Sequence, residues 1–294
     1  MGLLRQATPI EIYRWIAAEK ARAPSRRVTM LCRVLGVSRS GYYDWISRGP
    51  SRHDLEDAAA LEKIEAIHAD FPYYGAPRMH QALLLQGMRI GRHRVARLLR
   101  ENGLHARRGR IGTRKRSVPT VRRVEIIDVV QRHFVAAAAN RLWFTDLTMI
   151  RTGEGWLHAA VVLDAFNREV ISWATDSKEA PGTVMTALRE AIKIRQPSPG
   201  CVIHSDRGYQ FTSHDWINLA AEHSMTVSIG ERKDPRDNAV MESWFASMKN
   251  EELYPVGQPA TRANARARLF GYIWSYNNHR LHSSLGYKSP IHYN

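Results

Sequence analysis

The chain has 294 residues, with 43 Lys and Arg against 28 Asp and Glu, so its formal net charge is +15. That length allows one sizeable hydrophobic core with one or two small additional domains. The positive charge favours a polyanionic partner, because a protein that neutralises phosphates releases their counterions. No apolar run approaches the ~20 residues that span a bilayer, no signal-peptide core follows Met1, and two cysteines argue against a disulfide framework or a zinc site.

The N-terminal part, residues 1–50, is predicted to be helical. The run Thr8-Pro9-Ile10-Glu11 offers an N-cap, a proline at the first helical position and a capping-box glutamate. A short apolar helix is expected near Val28 to Leu35, followed by a turn at Gly36 and a helix capped by Ser38. This pattern fits either a small helix-turn-helix or an ordinary helical hairpin.

Residues 51–105 are predicted to form a helical connector and a second helix-turn-helix-like unit. The last helix of this unit starts at Arg92 and stops before Gly103, a residue type favoured just past a helix end. Outside the apolar stripe of this helix lie four arginines, Arg92, Arg94, Arg97 and Arg100. Because only one acid, Glu101, offsets their charge, the pattern favours a DNA-facing helix over a solvated face.

A basic linker is expected over residues 106–137. Between Arg107 and Arg123 there are eight Lys or Arg residues and no acid, a composition that cannot bury a core. We expect this linker to follow a phosphate backbone, with contacts from Arg114, Lys115 and Arg116.

From Leu142 the apolar pattern changes to a period of two, which predicts a strand with Asp146 at its centre. Two further strands, Trp156 to Leu163 and Glu169 to Ala174, complete an antiparallel meander. Aspartate is depleted from strands, so Asp146 calls for a functional explanation. Asp164 ends its strand beside a turn, and we interpret it as structural.

A helix from about Pro181 to Ile194 precedes a short buried strand that ends at Asp206. Functional groups of α/β sheets gather at the carboxyl ends of strands, although an ordinary turn aspartate before Gly208 is the alternative. A helix capped by Thr212 or Ser213 and a strand over residues 226–229 follow.

Glu242 lies on a predicted helix whose apolar stripe is formed by Met241, Trp244, Phe245 and Met248. At 100° per residue Glu242 falls about 110° from the middle of that stripe, at the border of the buried face. Asp237 is the expected N-cap. The alternative for Glu242 is a solvated helix glutamate.

Three acids set against apolar segments indicate a site for Mg²⁺ or Mn²⁺, since buried carboxylates persist when paired or metal-bound and both ions prefer oxygen ligands. A meander with Asp146, a later strand ending in Asp206 and a helix presenting Glu242 are the parts of a ribonuclease-H-like core. At these residues the chain resembles the integrase-core transposases of bacterial insertion sequences, in particular their downstream-frame products, which are relatives of retroviral integrases. The matching residues are Trp143, Asp146, Thr148, Asp164, Arg168, His204, Ser205, Asp206, Gly208, Gln210, Asp237, Asn238, Ala239, Glu242, Phe245, Lys249, Tyr276, Asn277, Arg280, His282, Leu285, Gly286 and Pro290.

The resemblance implies an α/β fold: a ribonuclease-H-like mixed sheet flanked by helices over residues 138–294, preceded by small all-α helix-turn-helix units. It implies DNA cleavage and strand transfer at the ends of a mobile element. Two metal ions would serve an in-line displacement, with Asp146 as their shared ligand and Asp206 and Glu242 each holding one. A regulator that binds DNA without cutting it, and a plain nuclease, are the competing functions.

Further roles are expected near these acids. Lys249 is predicted to hold the terminal DNA backbone, with an exposed charge as the alternative, and Asn238 and Gln210 are candidate polar contacts to DNA. The implied partners are the terminal inverted repeats, target DNA, further copies of the chain and an upstream-frame protein, in a cytoplasmic, nucleoid-associated setting. The run Lys233-Asp-Pro-Arg236 departs from the glycine-containing loop that relatives usually carry.

Overall fold

In a computed structural model the chain is described over residues 7–107, 126–178, 181–230 and 235–293. It divides into two compact units, residues 1–65 and 66–294. The predicted linker contacts Arg114, Lys115 and Arg116, and part of the unusual loop at 233–236, lie outside the described residues. Among the helices of the described ranges, none combines the length and apolar character needed to cross a bilayer.

The first unit consists of α1 (Pro9–Arg22), α2 (Val28–Leu35), α3 (Arg39–Arg48) and the first part of α4 (Arg52–Asp70). The capping box is confirmed, because the Glu11 amide donates to Thr8 Oγ1 at 3.4 Å and the Thr8 amide donates to Glu11 Oε2 at 2.6 Å. The helix–glycine–helix prediction is also confirmed: Gly36 adopts φ +70° and Ser38 Oγ caps α3. A small apolar core is formed by Ile12, Ile16, Val28, Cys32 and Tyr42.

The second unit begins with the helix pair α5 (Ala76–Leu85) and α6 (Arg92–Glu101). The second helix begins at Arg92 and ends before Gly103, as predicted. Gly103 adopts φ +66° just past α6, a left-handed conformation that glycine adopts with the least strain.

A five-stranded mixed sheet forms the centre of the second unit. Its strands lie in the order β3 (Val170–Asp176), β2 (Gly155–Asp164), β1 (Leu142–Thr152), β4 (Val202–Ser205), β5 (Thr226–Ile229). The first three strands pair antiparallel, as the meander prediction required, while β4 pairs parallel to β1 and β5 parallel to β4. This is the predicted mixed sheet.

The two faces of the sheet bury separate apolar clusters, because side chains alternate along β1. Trp143 belongs to a cluster with α7 (Pro181–Arg195) and α8 (His214–Glu222), whereas Phe144 belongs to a cluster with α9 (Ala239–Met248) and α11 (Arg262–Asn278). A π-helical turn (Lys249–Leu253) and the one-turn helix α10 (Tyr254–Val256) follow α9. Short 3-10 turns lie at Tyr209–Phe211, Pro235–Asn238, Ser283–Leu285 and Pro290–His292.

Both cysteines are buried free thiols, Cys32 in the first unit and Cys201 in the second. Burial raises the pKa of the Cys201 thiol to about 12, and it also raises the pKa of Cys32.

Asp164 has a structural role in the turn between β2 and β3. Its carboxylate accepts the amide hydrogens of Asn140 at 2.7 Å and of Phe166 at 2.8 Å. The side chain is 1% exposed, so these bonds satisfy a charge that water cannot reach. The interpretation of Asp164 as structural is therefore confirmed by its contacts.

We expect Asp164→Ala to lower the free energy of unfolding by about 2–4 kcal/mol, because two buried amides lose their acceptor. Urea-induced unfolding measures this change. Glu190→Ala, at an exposed position of α7, is the matched control and should shift the midpoint little. An Asp164→Ala variant as stable as that control would contradict the structural role.

Candidate active site

Asp146 lies in the middle of β1, opposite Val161 of β2. It shares the sheet face of Leu142 and Phe144, which is the face covered by α9. The carboxylate is half-buried, and its Oδ1 accepts the amide hydrogen of Leu147 at 2.7 Å. A charged group is thus fixed on the rigid central strand of the sheet.

The pairing of β4 with β1 brings Asp206 beside Asp146. The register matches Trp143 with Ile203 and Phe144 with His204, so two more residues along each chain place Asp206 level with Asp146. Neighbouring strands are separated by about 4.8 Å, and paired residues of parallel strands point to the same face. The Asp206 Oδ1 accepts the amide hydrogen of Gly208 at 3.0 Å, which holds the carboxylate at the end of β4.

Glu242 stands in the first turn of α9, on the same side of the sheet, and is exposed. The predicted apolar stripe of this helix is confirmed, since Met241, Trp244, Phe245 and Met248 are all buried. The predicted N-cap was wrong: Asn238 is the N-cap, and Asp237 Oδ1 instead accepts from Arg132 Nε at 2.7 Å. The positive end of the helix dipole favours a glutamate in the first turn.

Asp206 and Glu242 both act electrostatically on Asp146. Loss of hydration on burial raises the pKa of Asp146 well above its ordinary value, and the negative charges of Asp206 and then Glu242 raise it further. The Leu147 amide and Lys249 oppose this rise. Asp206 is exposed, yet the surrounding protein removes enough water from its carboxylate to raise its pKa. The site therefore concentrates negative charge around Asp146.

Within the described residues, no three His, Cys, Asp or Glu side chains are arranged closely enough to form a ready-made metal cluster. Asp206 acts on Asp146 more strongly than Glu242 does. Asp146 and Asp206 are thus the strongly interacting pair, and Glu242 faces them from the helix.

The other predicted site residues have distinct surroundings. Lys249 begins the π-helical turn, where burial lowers its pKa and the charge of Asp146 opposes that shift. Asn238 is buried, and its Nδ2 donates to the Thr145 carbonyl at 3.3 Å, so it ties α9 to β1. Gln210 is also buried, and a Cβ atom at Gly208 would lie only 2.9 Å from its Oε1. As contacts to DNA, all three stay predictions.

His204 has a positioning role that sequence reasoning did not assign, although the residue lies in the strand that ends at Asp206. Its Nε2 lies 3.0 Å from the Asp237 carbonyl oxygen and its Nδ1 lies 2.9 Å from Ser228 Oγ. A carbonyl only accepts, so Nε2 carries the proton, and Nδ1 accepts from the serine because burial lowers the pKa of His204 and keeps it neutral. The imidazole thus links β4 and β5 to the start of α9.

The arginines of α6 divide into two kinds. Arg92 and Arg100 are exposed, whereas Arg94 and Arg97 are half-buried and Arg97 pairs with Glu101 at 3.1 Å. The buried stripe of α6 is Val95, Leu98 and Leu99, as predicted, so the exposed arginines lie away from the packed face.

Family models match most of the chain from residue 54 onward. Two models described as integrase core domain match residues 136–235 and 223–290, and a model described as HTH-like domain matches residues 54–112. The mixed sheet with its acidic site and these matches together define the class: a polynucleotidyl transferase of the transposase and integrase type, with a ribonuclease-H-like fold.

Curated relatives narrow the class further. The chain is 34% identical over 247 residues to the transposase for insertion sequence element IS904 of Lactococcus lactis, covering 83% of this chain and 96% of that protein. It is 32% identical over 272 residues to the transposase InsF for insertion sequence IS3A of Escherichia coli, covering 90% and 92%. The chain belongs to this family of insertion-sequence transposases.

Solved structures of retroviral integrases are also similar to this chain. The catalytic core domain of HTLV-2 integrase in complex with magnesium aligns with a TM-score of 0.42 at 17% identity, covering 53% of this chain and 97% of that one. A simian T-cell lymphotropic virus intasome in complex with a PP2A regulatory subunit aligns with a TM-score of 0.45 at 17% identity, covering 78% and 73%.

We expect Asp146→Asn to stabilise the metal-free protein at neutral pH. The folded-state pKa of Asp146 is raised, so its contribution favours folding at low pH and is lost as the pH rises through that raised pKa. Above it, the charged wild type should melt a few degrees below the variant, since 1 kcal/mol corresponds to about 2–4 °C in a chain of this size.

Thermal unfolding in EDTA over a pH series measures this difference, with Asp215→Asn at an exposed position of α8 as the control. The gap between Asp146→Asn and wild type should narrow on acidification. A variant that is less stable than wild type at neutral pH, or a gap that widens in acid, would refute the charge repulsion inferred here.

Proposed function

We propose that this transposase cuts DNA at the ends of its insertion sequence and joins the cut ends to a target. Asp146, Asp206 and Glu242 would be the carboxylates at the reacting phosphodiester. The observation that carries the proposal is that Asp206 and Glu242 both act electrostatically on Asp146, which lies on the central strand of the sheet. Acid residues held together against their own repulsion indicate a site that binds cations.

The residues of this site fit divalent metal ions. Carboxylate oxygens are the ligands that Mg²⁺ and Mn²⁺ prefer, and a cation would offset the charges of Asp206 and Glu242 that raise the pKa of Asp146. When bound, two such ions would supply the positive charge that activates a water or a DNA 3′-hydroxyl and stabilises the leaving oxygen. Asp146, Asp206 and Glu242 are the residues proposed to hold them.

The surrounding residues would hold and orient the DNA. Lys249 lies within the electrostatic reach of Asp146, so its ammonium group is suited to a backbone phosphate next to the reacting one. Asn238 and His204 fix the start of α9 through Thr145 and Asp237, which orients Glu242. Arg92 and Arg100 of α6 are proposed to contact phosphates of the terminal repeat, and copies of the chain would bring two such ends together.

We expect Asp146→Asn, Asp206→Asn and Glu242→Gln each to lower Mg²⁺-dependent cleavage of element-end DNA at least about 100-fold, the scale of losing a preorganised electrostatic contact at a reacting centre. DNA affinity should change little, because the fold and the basic surface remain. Gel assays of cleavage with Mg²⁺, Mn²⁺ or EDTA, alongside binding measurements, test this.

Asp215→Asn is again the control and should cut like wild type. A labelled, pre-cut terminal oligonucleotide incubated with plasmid separates joining from simple hydrolysis. Release of fragments without joined product would assign a nuclease, and binding without either product would assign a regulator. Full cutting by one of the three variants would remove that residue from the site.

Arg92→Ala and Arg100→Ala should weaken DNA binding and reduce its dependence on salt. Each phosphate contact contributes about 0.9 to the slope of log affinity against log salt concentration. Arg189→Ala, at an exposed position of α7 on the other face of the sheet, removes the same charge and is the control. Slopes equal to that control would assign α6 to protein packing.

A further inference from the structure

A cavity of about 370 Å³ lies beside α9, lined by residues of α9, of α5, of the turn between β2 and β3, and of the segment after α11. Three arginines line it: Arg78, Arg168 and Arg280. None of the three belongs to the acidic site described above. The cavity is therefore a second, cationic site on the catalytic unit.

Glu251 pairs with two of these arginines. Arg280 is 4% exposed, and its Nε donates to Glu251 Oε2 at 2.8 Å. Arg78 Nη1 lies 3.9 Å from the same Glu251 carboxylate. Arg168 donates from Nη2 to the Phe134 carbonyl at 3.1 Å, and the negative charge of Asp164 acts on it. Two guanidinium groups thus share the Glu251 carboxylate, and the third, that of Arg168, has the more distant charge of Asp164 acting on it.

His282 shows that the three positive charges converge. Its imidazole is buried and lines the cavity. Burial lowers the pKa of His282 to about 2, with further contributions from Arg280, Arg78 and Arg168. The histidine therefore stays neutral, and the cavity keeps an excess of positive charge in surroundings that hydrate it poorly. Such an excess is stabilised when an anion with several hydrogen-bond acceptors enters.

The rim of the cavity supplies hydroxyl donors and faces solvent. Ser243, Ser283 and Ser284 line it and are exposed. Ser243 directly follows Glu242 on α9, so the rim of the cavity adjoins a residue of the acidic site in the chain. Arginine guanidinium groups and hydroxyls match the oxygens of a phosphate group better than a single carboxylate.

We propose that this cavity binds a phosphate group of the DNA backbone next to the catalytic helix. The inference rests on the proposed function for the identity of the ligand, and on the arginine cavity for its chemistry. It makes Arg78, Arg168 and Arg280 part of the DNA-binding surface, and it gives the C-terminal segment after α11 a function.

Ser284→Asp tests the proposal, because a carboxylate on the rim would occupy the place of the phosphate. The full-length variant should melt at or above the wild-type temperature and should bind terminal-repeat DNA about tenfold more weakly than the control. Ser198→Asp is the matched control: it adds the same charge at an exposed position just before β4, at the end of that strand opposite Asp206. Equal DNA affinities for the two variants would overturn the proposal.

A second variant covers a failure of Ser284→Asp to fold. Arg168→Gln should weaken DNA binding about tenfold relative to Arg189→Gln, which removes the same charge from α7. An equal effect of the two substitutions would overturn the proposal. All binding measurements are made without metal, so their outcome does not depend on cleavage. A failure of the wild-type protein to cleave DNA in a separate assay would contradict the proposed function and leave this proposal standing.

Inorganic phosphate separates a DNA phosphate from a free one. Millimolar phosphate should raise the melting temperature of the wild type and leave that of Ser284→Asp unchanged, with chloride at equal ionic strength as the reference. A phosphate effect combined with equal DNA affinities of Ser284→Asp and Ser198→Asp would assign the cavity to the free ion and overturn the DNA assignment.

Discussion

The parallel pairing of β4 with β1 is the constraint on which the site depends. Its register, continued beyond Phe144 and His204, sets Asp206 level with Asp146, so two acids lie together although the charge of Asp206 raises the free energy of ionising Asp146. An isolated pair of strands could relieve this repulsion by moving apart. Here β1 is held between β2 and β4, with helices on both faces, and the repulsion is retained.

The chain immediately before β1 contributes to the same arrangement. Arg132 binds Asp237, and the Ser228 hydroxyl that receives the Val129 amide also contacts His204. The segment that leads from the basic linker region into the sheet is therefore tied to the residues that start α9. Since α9 carries Glu242, the position of the third acid depends on contacts made about a hundred residues away in sequence.

Periodicity predicted the strands and the buried stripe of α9, because these elements alternate sharply between apolar and polar residues. The helix α11 was not predicted. Its buried residues, which lie between Ala265 and Tyr276, include alanine and tyrosine side chains, and these give only a weak apolar pattern in the sequence. Asp237 was predicted to be an N-cap, but its carboxylate instead forms an ion pair with Arg132, which is distant in sequence. Arg78, Arg168 and Arg280 line one cavity because of the tertiary fold. No local sequence pattern could predict that they lie close together.

Because both native thiols are buried, contacts between this protein and nucleic acid can be mapped with introduced cysteines. A thiolate is the reactive form of cysteine, and both native side chains are shielded and keep their protons, as their raised pKa values indicate. Alkylating reagents should therefore leave the natural chain nearly untouched. A single cysteine introduced on the surface would be the preferred point of modification, so crosslinkers or spectroscopic probes can be attached one position at a time without first removing either native residue.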